Sequence, residues 1–328
     1  MEGGVRPKVV GLALVFCLGQ LVQELIAEAI FTTFEFPQPK IEVAMVYAWF
    51  QHMGTVLVAF VSLRMLAPNH KTPSSEGGGG GETRSWLAMV ALAGLIFAST
   101  VLPNLALEFV HFPAKVVTKS SKLVPTMLVS VCMGNSLAFG WMDYASALLL
   151  ISGAVVFALA SSRESEKSPK HSEYAVVGLG LLTVASLADA LVPNIQQVLM
   201  RTGQASAQHL AIKVNLIGQA GILGYLLLLG EGEWVAWLVG HPNTLALMTG
   251  SGLMLGVAVI AYTMLIREAG SVLAVAVATV RKVATITLSY LVFPGNGKTF
   301  DQSHLLAVAL VGLGMGLVPC WQRFAARK

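Results

Sequence analysis

Apolar residues in this chain gather into runs of about 20, the length that carries a helix across a hydrocarbon core. Ten such runs lie near 8–34, 43–66, 86–107, 113–132, 142–160, 174–200, 208–229, 245–266, 272–293 and 303–321. Polarity does not alternate along them, so the period of two that marks a barrel strand is missing and helices are expected. Composition agrees: 55% of residues are hydrophobic and 12% charged, against about a quarter charged in a soluble domain. The fold class predicted is an all-α integral membrane protein with ten transmembrane helices. The first run follows Arg6 and Lys8 and has no small-residue cleavage site before polar chain, so it is expected to span rather than to be removed.

Polar segments divide the chain. Residues 67–85, with Gly77 to Gly81, predict a flexible loop. A second stretch, 161–173, alternates Arg163, Glu164, Glu166, Lys167, Lys170 and Glu173 and leaves five runs on either side. At an offset of 160 residues Glu108 falls on Glu268 and Lys122 on Lys282, the trace of an internal repeat. Five is odd, so a second copy of a five-helix unit inserts upside down. Residues 1–165 and 166–328 are therefore expected to form two inverted five-helix repeats, an architecture of secondary transporters. Counting Lys and Arg outside the runs gives ten on the side of the N-terminus and five on the other. This predicts that both termini are cytosolic.

Charge inside the runs is the informative departure. Lys115, Lys119, Lys122, Lys213, Arg281 and Lys282 lie within apolar segments, with Glu24, Glu28 and Asp189 as the acids at that depth. A cation at a helix centre costs about 2.5–3.5 kcal/mol on insertion scales, so an excess of them predicts a positive cavity that admits an anion. Lys115, Lys119 and Lys122 are spaced i, i+4, i+7 and share one helix face. Lys122 and Lys282 are expected near the middle of their helices, where snorkelling does not reach water. Gln23, Glu24, Asp189, Asn194 and Asn215 add polar groups at depth, either as glue between helices or as amides that read a nucleobase edge. The series Gly250, Gly252, Gly256 and Gly312, Gly314, Gly316 is expected to allow close helix packing.

Other classes fit poorly. The net charge of +4 is scattered in loops and buried positions, without the basic stripe and aromatic platform of a nucleic-acid binder. No acidic cluster of metal-ligand spacing appears in the runs, so no enzyme, metal or cofactor is expected. Cys17, Cys132 and Cys320 sit in or at the ends of apolar runs and suit small core residues.

The chain resembles the nucleotide-sugar transporter family of the drug/metabolite transporter superfamily, and within it the branch with Golgi transporters of adenosine 3'-phospho 5'-phosphosulfate (PAPS). The matching pieces are Val22-Gln23-Glu24-Leu25-Ile26, Lys119-Ser120-Ser121-Lys122-Leu123-Val124-Pro125, Asp189 with Asn194 and Gln196, Asn215-Leu216-Ile217-Gly218, Ala261-Tyr262-Thr263 and Thr279-Val280-Arg281-Lys282-Val283. Lys213, Val280 and Gln197 depart from the usual residues of that family. The resemblance implies ten helices, base recognition around Asn215, phosphate recognition at Lys282, and residence in the Golgi membrane. It also implies exchange of an activated nucleotide donor for the spent nucleotide. The 5'-phosphosulfate and 3'-phosphate of PAPS are two separated anions, which two basic clusters suit; a UDP-sugar such as UDP-galactose, with one diphosphate, is the alternative. The Phe324-Ala325-Ala326-Arg327-Lys328 tail lacks the lysine pair that retrieves relatives to the endoplasmic reticulum. The partners expected are the nucleotide-linked substrate and the lipid bilayer, with a homodimer left open and no nucleic acid.

Overall fold

The computed structural model describes residues 7–33, 40–66, 80–106, 118, 122–134, 139–162, 175–202, 206–229, 233–292 and 302–316. Regular structure among them is helical throughout: α1 Pro7–Thr33, α2 Lys40–Leu66, α3 Gly80–Ala106, α4 Leu123–Cys132, α5 Trp141–Ser162, α6 Ala175–Arg201, α7 Ala207–Leu229, α8 Glu233–Gly240, α9 Pro242–Ala269, α10 Ser271–Val292 and α11 Gln302–Gly316. A helix overlies each of the ten apolar runs. Five contain stretches long and apolar enough to cross a membrane: 7–27, 45–65, 176–201, 207–228 and 242–269.

Two boundaries differ from the sequence expectation, and one element is new. α3 begins at Gly80, inside the predicted loop, because hydropathy marks where a helix enters lipid, whereas Glu82-Thr83-Arg84-Ser85 is polar but compatible with helix. The rest of that loop lies outside the described residues. α4 has Lys122 as its N-cap, with φ −61° and ψ −16°; the expected mid-helix Lys122 instead opens the described helix. Pro125 fits there, since the first turn has no intrahelical partner for its missing N–H. The helix closes at Gly134, whose φ of +62° is the left-handed conformation a glycine adopts at no steric cost. The eight-residue α8 was too short to register as an apolar run.

The described chain separates into two compact units, and each draws on both halves of the sequence. The first contains Met1–Val10, Gly94–Val198 and Glu268–Lys328; the second Gly11–Ala93 and Leu199–Arg267. In the first unit Leu123 and Met127 of α4, Ala147, Leu150 and Ala154 of α5, Val272 and Val275 of α10, and Ala307 and Val311 of α11 form one core. α5 lies close along α11: the Ser146 hydroxyl donates to the Gly314 carbonyl at 2.7 Å, and a Cβ on Gly153 would stand 2.8 Å from the Ala307 carbonyl oxygen.

In the second unit Ile30, Val46, Tyr47, Phe50, Leu226, Leu238 and Met248 form the core, from α1, α2, α7, α8 and α9. Here α2 and α9 touch backbone to backbone. A Cβ on Gly54 would lie 2.2 Å from the carbonyl carbon of Gly252, and one on Gly252 would lie 2.3 Å from the carbonyl oxygen of Phe50. Gly252, Gly256 and Gly314 thus take the packing role expected of their series, while Gly250 and Gly312 face open space.

Candidate functional site

The first unit holds two ion pairs among the described residues: Lys8 with Glu268 at 2.7 Å, the lysine exposed, and a less exposed one between α4 and α6. Lys122 Nζ lies 3.9 Å from Asp189 Oδ2, with side chains 16% and 23% exposed. That separation is too long for a hydrogen bond, so the charges are neighbours while the three N–H donors of Lys122 are not used on the acid. As an N-cap, Lys122 also stands at the positive end of the α4 dipole, where a cation is disfavoured. On α6, Pro193 lies one turn past Asp189 inside the continuous helix. It has no N–H to give the Asp189 carbonyl, so one backbone bond is lost at the level of the pair.

One turn further, Asn194 is fully buried. Its Nδ2 donates to the carbonyls of Thr126 at 3.1 Å and Ala190 at 2.9 Å, and its Oδ1 accepts from the Ser271 hydroxyl at 2.8 Å. Gln197 Oε1 accepts from the Ser271 backbone N–H at 2.8 Å and so caps the start of α10. With both amide N–H groups committed, Asn194 joins α4, α6 and α10. Along α10, Arg281 is buried and Lys282 half-buried, as expected of adjacent positions turned about 100° apart. A small cavity in this unit, lined mainly by Leu123, Met127, Phe139, Leu150, Val272 and Ala276, contains none of the described basic residues.

The second unit carries neutral polar groups. Gln20 Nε2 donates to Gln23 Oε1 at 2.8 Å, Gln23 Nε2 donates to the Tyr47 hydroxyl at 3.1 Å, and Tyr47 shares a hydrogen bond with Ser251 at 2.5 Å. Gln23 is thereby bonded into the contact of α1, α2 and α9. Glu24 beside it is half-buried. Tyr262 packs against Phe16 with ring centroids 5.0 Å apart. Lys213 is exposed on α7. Asn215, two residues on, is half-buried; its Nδ2 donates to the Ala211 carbonyl at 2.8 Å and its Oδ1 meets His52 Nδ1 at 2.7 Å.

Of the predicted residues, Lys122 and Asp189 are brought together, and Asn194 lies in the same unit. Lys115 and Lys119 lie outside the described residues. Sequence reasoning missed His52, Tyr47 and Ser251. The signal for His52 was the one applied to the lysines, a polar side chain in the middle of an apolar run.

A helical chain with membrane-length apolar helices and an ion pair between two of its helices belongs to the class of helical membrane proteins. Its sequence matches the model of the UAA transporter family over residues 8–319, and the chain belongs to that family, which is made of transporters rather than enzymes. Similar curated proteins include "UDP-galactose/UDP-glucose transporter 4" of Arabidopsis thaliana, 24% identical over 70% of this chain and 64% of that one. Another is "Adenosine 3'-phospho 5'-phosphosulfate transporter 2" of Aedes aegypti, 30% identical over 70% of this chain and 58% of that one. The chain thus spans about six tenths of the length of these relatives. A solved crystal structure of a protein, 15% identical, superposes with a TM-score of 0.62 over 94% of this chain and 97% of its own, a likeness of fold.

Proposed function

We propose that this protein is an antiporter that exchanges a cytosolic activated nucleotide donor, PAPS in the favoured reading, for a spent nucleotide from the Golgi lumen. The ten helices that overlie the apolar runs would be spans arranged as two inverted five-helix repeats, with both termini cytosolic. The observation that carries the proposal is Lys122, a half-buried cation held against a helix dipole, whose N–H groups are not bonded to its acid at 3.9 Å. Asp189 offsets part of the cost of a lysine so placed, and a visiting anion that takes its N–H groups offsets more. Lys282 and Arg281 supply further positive charge in the same unit for phosphate or sulfate, and Asn215 reads the base. Lys119 and Lys115 extend the anion site, with Lys213, Gln23, Glu24, Asp189, Asn194 and Tyr262 completing the substrate-binding set.

The relatives that carry PAPS transport in their names support the favoured donor. The Arabidopsis relative, named for UDP-galactose and UDP-glucose, favours a UDP-sugar as the second reading. Counterflow in liposomes separates the two. Vesicles preloaded with adenosine 3',5'-bisphosphate are expected to take up labelled PAPS faster than empty ones. Acceleration of UDP-galactose uptake by UMP, with no response to PAPS, selects the second reading, and uptake indifferent to any preload rejects exchange.

A further inference from the structure

The bond between His52 and Asn215 joins two residues of one unit, on α2 and α7, and it has a direction. Asn215 Nδ2 donates to the Ala211 carbonyl at 2.8 Å, which turns Oδ1 toward His52. An amide oxygen only accepts, so at 2.7 Å the imidazole Nδ1 must carry the proton and donate. The Nδ1–Cε1–Nε2 edge of the ring lies over Gly218, one turn beyond Asn215 on the same helix face. A Cβ there would stand 2.9 Å from Cε1, 3.2 Å from Nε2 and 3.3 Å from Nδ1. Glycine at 218 therefore makes the room in which the ring sits, and Asn215-Leu216-Ile217-Gly218 acts as an amide with a seat for its partner. Among the described residues neither side chain makes any other hydrogen bond.

A primary amide that turns freely exchanges its oxygen and its NH2 by a half rotation. It serves a donor-then-acceptor edge as well as the reverse. Asn215 is held at both ends and does not turn, which leaves one N–H and one oxygen lone pair at fixed positions. Bases differ by this reversal: adenine offers an amino donor beside a ring-nitrogen acceptor, while hypoxanthine offers a carbonyl acceptor beside a ring N–H, and cytosine and uracil stand in the same relation. We propose that His52 is the specificity-determining partner of Asn215, locking its amide so that the transporter tells a 6-amino from a 6-oxo purine, or a 4-amino from a 4-oxo pyrimidine. The proposal rests on the reading of Asn215 as the base reader.

The test uses the full chain in liposomes and compares inhibition constants within two pairs, AMP against IMP and CMP against UMP. Wild type is expected to separate at least one pair by about tenfold, the worth of one well-placed hydrogen bond. His52→Asn, whose amide nitrogen overlays the imidazole Nδ1, is expected to keep that ratio. His52→Gln, whose amide overlays Nε2 and leaves no donor at Nδ1, is expected to bring it within about twofold, with inhibition by ribose 5-phosphate unchanged. If His52→Gln does not fold, Gly218→Ala puts a methyl against Cε1 and displaces the ring, and is expected to lower the ratio likewise. A ratio preserved in a folded His52→Gln protein overturns the proposal. So does a wild type that separates neither pair, though nucleotide exchange then stands. Wild-type protein that neither binds nor exchanges any nucleotide overturns the underlying reading instead.

Discussion

The two units bury different kinds of polar group. In the first, Asp143 and Arg281 are buried alongside Asn194, Ser271 and Thr126, and Lys122 faces Asp189 across 3.9 Å. In the second, the buried polar side chains described are all uncharged: Gln23, Thr55, Gln208, Thr244, Ser251 and Thr263. Uncharged groups bonded in pairs and chains are self-sufficient, as Gln23–Tyr47–Ser251 illustrates. Charges cost more to bury than uncharged groups even when partnered, as Asp143 is by the Gly140 backbone N–H at 2.8 Å. Under the proposed function the charges of the first unit are the ones offered to an anion.

The largest expected effect tests the charged unit. Lys122→Ala removes a charge-assisted contact worth about 1.5–3 kcal/mol, and exchange is expected to fall at least about tenfold while membrane insertion is retained. Lys282→Ala is expected to do the same. Exchange at wild-type rate in either variant removes the basis for assigning anions to this unit.

Next is the packing of the neutral unit. Gly252→Ala pushes a methyl into the Phe50 carbonyl and is expected to destabilise by about 1–3 kcal/mol, read as a lower melting temperature in detergent. Gly250→Ala, with open space around it, is expected to stay within about 0.5 kcal/mol of wild type. Equal melting temperatures for the two variants contradict the backbone contact of α2 with α9.

The smallest effect sharpens the role of the acid. Asp189→Asn keeps shape and removes a competitor for Lys122, so binding of adenosine 3',5'-bisphosphate is expected to tighten by about threefold, less than one charged hydrogen bond. Weaker binding in that variant instead gives Asp189 the task of positioning the lysine.

Helices were legible because lipid length and helix rise fix a run of apolar residues, and the family was legible in short motifs such as Lys122-Leu123-Val124-Pro125. Helix ends were less so. α3 starts among Gly80, Gly81 and Glu82, polar and small residues in which hydropathy carries no signal. Partnerships were the least legible. Gly252 and Gly250 look alike in sequence, yet only the former meets a backbone, because two residues along a helix turn it about 200°. Asn194 and Asn215 are both amides in apolar runs. One is fully buried among carbonyls and a hydroxyl, the other faces a histidine 163 positions away in the chain, and nothing local to either distinguishes them.

The contact of Gly54 with Gly252 also sets an order of events during biosynthesis. Ribosomes lengthen a chain by roughly 5–20 residues per second, and 198 residues separate these two glycines in the sequence. For roughly 10–40 seconds α2 therefore waits in the translocon's neighbourhood without the helix that fits its glycine face. Defects at Gly252 should accordingly show only after some 252 residues have been made, and be met by the quality control that surveys inserted helices rather than by the machinery that inserts α2.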